Sequence, residues 1–186
     1  MFKPKASLPL FALILLSALV MGCTSKSTPP ENTAQTSSLT AIELTPGSID
    51  PGVGIKEIKL GQTRAEIEPV LGVPTGHDRN EFVEGQTFLL YHKAGIELTL
   101  QDDRVEMITL HSKNKEWTAY TGATADGIGV TSTAKEITDS LGEAPESAPR
   151  AFKYPALGIV FRFDQDREGD GSNARAETVS IVPPQK

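Results

Sequence analysis

One local pattern occurs twice in this chain, and the repeat constrains the fold more than any other feature. Thr63-Arg64-Ala65-Glu66-Ile67 leads to Leu71-Gly72-Val73-Pro74, and Thr133-Ala134-Lys135-Glu136-Ile137 leads to Leu141-Gly142-Glu143-Ala144-Pro145. At one constant offset Thr63 matches Thr133, Glu66 matches Glu136, Ile67 matches Ile137, Leu71 matches Leu141 and Gly72 matches Gly142. Thr-x-x-Glu is a capping box, in which hydroxyl and carboxylate satisfy the unpaired N–H groups of a helix start. Ile and Leu four apart lay one apolar stripe along the helix, and Val70 widens it in the first copy. Glycine ends such a helix in a left-handed conformation, and the proline beyond prevents continuation. The pattern predicts a helix of about eight or nine residues opening each copy, with Pro69 kinking or shortening the first. Helices this short do not persist alone, so each must dock its stripe on other structure.

Strand patterns follow in both copies. The first has residues 82–84, 87–91 and 95–101, and the last run alternates apolar and polar residues as a half-buried strand does. Asp102-Asp103 forms a tight turn from which residues 105–111 return. The second copy has residues 151–154, 158–163 and 178–182. Tyr91 matches Tyr154, Gly95 matches Gly158 and Ile96 matches Ile159 at a shorter offset. Val105 matches Val179 at a longer one, which lengthens the second hairpin turn. The expected fold is α+β: two tandem units, each a helical segment and a three-stranded antiparallel meander. Side by side they would form one six-stranded sheet with both helices on one face. Phe161 and Phe163 match Leu98 and Leu100 and belong to the helix-covered core, leaving Glu97, Thr99, Gln101, Val160 and Arg162 on the opposite face.

The Gly-x-Thr-x-x-Glu-Ile-x-x-x-Leu-Gly-x-Pro helix, followed by Tyr-x-x-x-Gly-Ile and a hairpin, resembles the SmpA/OmlA (BamE-like) lipoproteins. Their helix-helix-strand-strand-strand unit is shared with the β-lactamase inhibitory proteins, which carry it in tandem. The resemblance covers residues 54–112 and 127–183 and implies an all-protein binding module. One branch of those relatives serves β-barrel assembly in the outer membrane, and another plugs enzyme active sites. The shared residues are caps and core, so no functional residue is carried over by position.

The start of the chain gives an address. Lys3 and Lys5 precede an apolar run from Leu8 to Met21, broken only by Pro9 and Ser17. As a helix that run covers about 21 Å, short of the roughly 30 Å hydrocarbon core, so residues 1–22 read as a signal peptide. Val20-Met21-Gly22-Cys23 resembles a bacterial lipobox, and Cys23 is the only cysteine in the chain. Acyl chains such as palmitate on Cys23, at about 0.8 kcal/mol per buried methylene, would anchor the protein to a membrane. Thr24 stands where an Asp would favour inner-membrane retention, so the expected place is the outer membrane, facing the periplasm. Residues 23–50 are the lipidated cysteine and a Ser/Thr-rich tether too polar to bury a core. Toward its end Ile42, Leu44 and Ile49 are placed on the head as an edge strand. The two units are then 51–116 and 117–186.

Composition narrows the function. The net charge is −6 and becomes more negative once Lys3 and Lys5 are removed. That balance excludes nucleic acid and a polybasic membrane-surface mode. One cysteine makes no internal disulfide and no Cys-rich zinc site. His77, His92 and His111 lack short metal-ligand spacing, and the chain has no nucleophile elbow or phosphate loop. The expected role is therefore a non-catalytic module that binds an envelope protein, in assembly or as an inhibitor. Its candidate contacts are Glu97, Thr99, Gln101 and Arg162 on the open face, with Trp117 and Tyr120 in the connector. Those two aromatic residues either seal the units together or stand out as interface anchors. The alternative is a ligand or calcium sensor using the loop 164–173. Asp164, Asp166 and Glu168 fall at positions 1, 3 and 5 of a calcium-loop pattern, with Gly169 at 6 and Asp170 next. Arg175 holds the position of the bidentate Glu, so the loop reads either as an acidic hairpin tip or as a weak Ca2+ site.

Overall fold

The computed structural model describes Thr45 and residues 48–56, 58–164 and 173–186. The first two strands, β1 (Ile49–Asp50) and β2 (Gly54–Ile55), pair as a small antiparallel ribbon. Helix α1 (Arg64–Leu71) leads to β3 (Gly76–Arg79), β4 (Gln86–Tyr91), β5 (Ile96–Gln101) and β6 (Arg104–His111). Helix α2 (Ala134–Leu141) leads to β7 (Glu146–Ala148), β8 (Ala151–Tyr154), β9 (Ile159–Phe163) and β10 (Ala176–Ile181). Strands β3 to β10 form one eight-stranded sheet in the order β3-β4-β5-β6-β10-β9-β8-β7, antiparallel throughout.

This architecture overturns the expected α+β fold of two helix-plus-three-stranded units. The described body is mostly β: one eight-stranded sheet and a two-stranded ribbon, with two helices of eight residues each among the described residues. Within the large sheet, the strands absent from the sequence reading are the two edges. β3 reads Gly-His-Asp-Arg and β7 reads Glu-Ser-Ala, and both are exposed along almost their whole length. With no face to bury, neither develops the alternation that marks a strand. Charged side chains on such edges also discourage pairing with other chains. Residues 82–84, expected as a strand, instead lie in the connection between β3 and β4, where Phe82 is 95% exposed.

Pairing registers correct a second expectation. Leu100 pairs with Val105, and its match Phe163 pairs with Ala176. Val105 therefore corresponds to Ala176, and Val179 corresponds to Ile108, the partner of Leu98. The true equivalence was hidden because alanine replaces valine at the first position. Each hairpin also carries a bulge at the same place, where Glu106 and Glu177 are passed over in the ladder.

The helix starts form as the repeat requires. The Glu66 carboxylate accepts from the Thr63 backbone N–H at 2.8 Å and from its hydroxyl at 2.9 Å. Those bonds hold the Glu66 carboxyl below the usual carboxylate range. The Glu136 carboxylate accepts from the Thr133 N–H at 2.7 Å, and the Thr133 hydroxyl accepts from the Glu136 N–H at 3.2 Å. Pro69 does not shorten α1 relative to α2. An arginine at each hairpin return ties strand to helix start: Arg104 donates to the Gly61 carbonyl at 3.0 Å, and Arg175 to the Thr131 carbonyl at 2.9 Å. Thr133→Ala is expected to lower stability by about 1 kcal/mol, read as a lower midpoint in urea.

A single core cluster takes Ile67 and Ile137 from the helices, both fully buried, and the inward side chains of β4 to β6 and β8 to β10. Ile49, Ile55 and Ile58 join it, so the folded body reaches back into the segment expected as tether. Ile49 sits in the ribbon rather than on the sheet edge, and Ile42 and Leu44 lie outside the described residues. The matched tyrosines differ. The Tyr154 hydroxyl donates to the Gly142 carbonyl at 2.8 Å, whereas the buried Tyr91 hydroxyl has no partner. Burial pushes both phenols up from their ordinary value. Tyr154→Phe is therefore expected to cost about 1 kcal/mol, and Tyr91→Phe to be neutral or stabilising, in parallel thermal melts.

Candidate functional site

Side chains alternate across a strand, so the residues between the core positions form the opposite face of the sheet. One row crosses it from edge to edge: Gly76, Leu90, Glu97, Thr109, Ser180, Val160, Lys153 and Glu146 are successive cross-strand partners. A second row runs through His111, Thr178, Arg162 and Ala151, and a third through Asp78, Phe88, Thr99 and Met107. Phe88, Leu90, Met107 and Val160 are half-buried here. At the centre Thr109 and Ser180 hydroxyls lie 3.1 Å apart and join β6 to β10. Thr99 is 3% exposed, and its hydroxyl has no hydrogen-bond partner.

One end of this face is built by the connector. The His111 imidazole Nε2 lies 3.1 Å from a Glu97 carboxylate oxygen. Trp117 stacks on His111 with centroids 3.8 Å apart and planes within 2°. His92 lies against the same indole at 4.5 Å, tilted by 36°, and its Nδ1 meets the Thr75 hydroxyl at 2.7 Å. Backbone bonds fix the connector in place: Thr118 N–H donates to the His92 carbonyl at 2.9 Å, and Tyr120 N–H to the His111 carbonyl at 3.0 Å. Tyr120 packs against the hydrophobic core instead. The two aromatic residues therefore serve different parts of the fold. Trp117 is 8% exposed and rests on His92 and His111.

The other candidates are distributed around this frame. Gln101 closes the far end of β5, where its side-chain amide donates to the Glu84 carbonyl at 3.0 Å. Arg162 is exposed on β9 with no carboxylate paired to it among the described residues. Asp164 accepts from the Arg175 N–H at 3.1 Å, a bond that closes the mouth of the β9–β10 hairpin. Asp166, Glu168 and Asp170, like Cys23, lie outside the described residues. Among the described residues no three His, Cys, Asp or Glu gather closely enough to hold a metal ion, and no helix is long and apolar enough to cross a membrane. Sequence reasoning missed Phe88, Leu90, Met107, Thr109, His111, Thr178 and Ser180. The alternation within 107–111, beyond the bulge, was the available signal for three of them, since Met107, Thr109 and His111 alternate with Ile108 and Leu110.

Chemically, the face offers half-buried apolar side chains, a carboxylate held by an imidazole, an exposed guanidinium and hydroxyls. That mixture suits recognition of a protein surface. No family model matches the chain, and no curated protein does. Among solved structures it is similar to an extracellular protein containing an SCP domain from Bacillus anthracis str. Ames, at 8% identity and a TM-score of 0.39. That likeness covers 67% of this chain and 44% of the other.

Proposed function

We propose that this chain is a lipid-anchored envelope protein whose open sheet face binds another protein without catalysis. The observation that carries the reading is the face itself, eight strands wide and bordered at one end by Trp117. Half-buried Phe88, Leu90, Met107 and Val160 stand there beside an exposed Arg162, an aliphatic, aromatic and guanidinium mixture found at interface centres. The signal-peptide pattern of residues 1–22 and the Val20-Met21-Gly22-Cys23 junction support anchoring through Cys23, and Thr24 supports the outer membrane. The motif resemblance to SmpA/OmlA lipoproteins supports an envelope role. Photo-cross-linking in cells from position 107 or 162, against a control at exposed Phe82, is the test. A protein adduct formed from the face but not from position 82 is expected, and equal yields from all three positions would remove the reading.

A further inference from the structure

We infer that the open face takes a second copy of this chain, two sheets packing face to face about a two-fold axis. This names the partner for the recognition surface just proposed, and it rests on that reading. One pair of charges on the face is self-complementary. Its β5 side carries Glu97, with a side chain 24% exposed, and its β9 side carries the exposed Arg162, unpaired among the described residues. Strands β5 and β9 are equally far from the β6–β10 junction at the middle of the sheet. A two-fold axis along that junction therefore lays β5 of one copy over β9 of the other, and does so twice, as an isologous contact must. Arg162 stands one cross-strand row from the level of Glu97, about 7 Å. A guanidinium stem spans that offset between sheets about 10 Å apart. Glu97 keeps lone pairs for it beyond the one His111 engages.

Size sets the strength of such a contact. Eight strands about 4.8 Å apart and about five residues long offer roughly 650 Å² per copy. That is somewhat below the roughly 800 Å² per partner of a standard interface, so the dimer is weak in dilute solution. Two copies tethered to one membrane meet at a far higher effective concentration, which favours it.

The test places a photoreactive phenylalanine analogue at Thr178, beside the proposed axis, in the full chain within its own envelope. A second chain carries the analogue at Ala65, exposed on α1. The expected result is an adduct of twice the chain's mass from position 178, at least tenfold above that from position 65. Either E97R or R162E should lower it about tenfold, and the E97R/R162E double variant should restore it, which also shows that both substitutions fold. A double variant no better than the singles, or equal yields from 178 and 65, overturns the inference. So does an adduct from 178 joined to a different protein, and that outcome leaves the recognition reading standing. No adduct of any kind from 178 removes both.

Discussion

Gly158→Ala is expected to destabilise the protein by about 3 kcal/mol or more, a fall of roughly 8–12 °C in Tm. Gly158 has φ of +69°, where an L-residue pays about 1–2 kcal/mol against glycine. A Cβ there would also collide with the Val182 carbonyl oxygen and stand 2.7 Å from the Gly52 Cα. Both obstacles are backbone, so neither can swing away as a side-chain end would. The Gly158 carbonyl accepts from Gly52 N–H at 3.3 Å, and the chain's last strand returns through Val182 N–H to the same carbonyl at 3.0 Å. Alanine would thus push apart the ribbon and the C-terminal segment together. Gly95, its match in the first half, has the same φ of +69°, and a Cβ there would lie 2.6 Å from the Tyr120 N. Gly95→Ala should behave alike. Gly142, with φ of +78° but open space around it, is the control: Gly142→Ala should cost only about 1–2 kcal/mol. Thermal melts of the three variants separate collision from backbone conformation, and equal losses at all three positions would refute the close-approach account.

The same glycines show how far the sequence could be read. The Tyr-x-x-x-Gly-Ile matches marked real turn positions, because a tight turn restricts residue type whatever surrounds it. Capping boxes were legible for the same reason, since Thr63, Glu66, Thr133 and Glu136 act within one helical turn. The number of strands was not legible. β3 and β7 are edges held by backbone hydrogen bonds to a neighbour, and those bonds leave no mark on side-chain pattern. Arg104 and Arg175 were equally hidden, because each acts on a carbonyl more than forty residues away. The open face was partly legible: β5 and β9 alternate cleanly, whereas the bulge at Glu106 shifts phase within β6 and obscures Met107. Trp117 could be singled out by type, but its burial depends on His92 and His111, which only the fold brings to it.

That burial decides what Trp117→Ala should do. Truncating a large aromatic residue that is 8% exposed removes its apolar contacts and leaves a cavity, a loss of about 3 kcal/mol. The stacks on His111 and His92 go with it, leaving the connector between β6 and α2 its backbone bonds at Thr118 and Tyr120. Trp117→Phe keeps a ring over His111 and should lose roughly half as much. Any fall in partner capture by Trp117→Ala should therefore track its fall in Tm. Arg162→Ala should behave in the opposite way: the side chain is exposed and unpaired among the described residues, so Tm should stay within about 1 °C while capture through the face drops. Measuring Tm and capture for both variants assigns the roles. A Trp117→Ala protein with unchanged Tm and lost capture would make the indole an interface anchor, against the packing that now surrounds it.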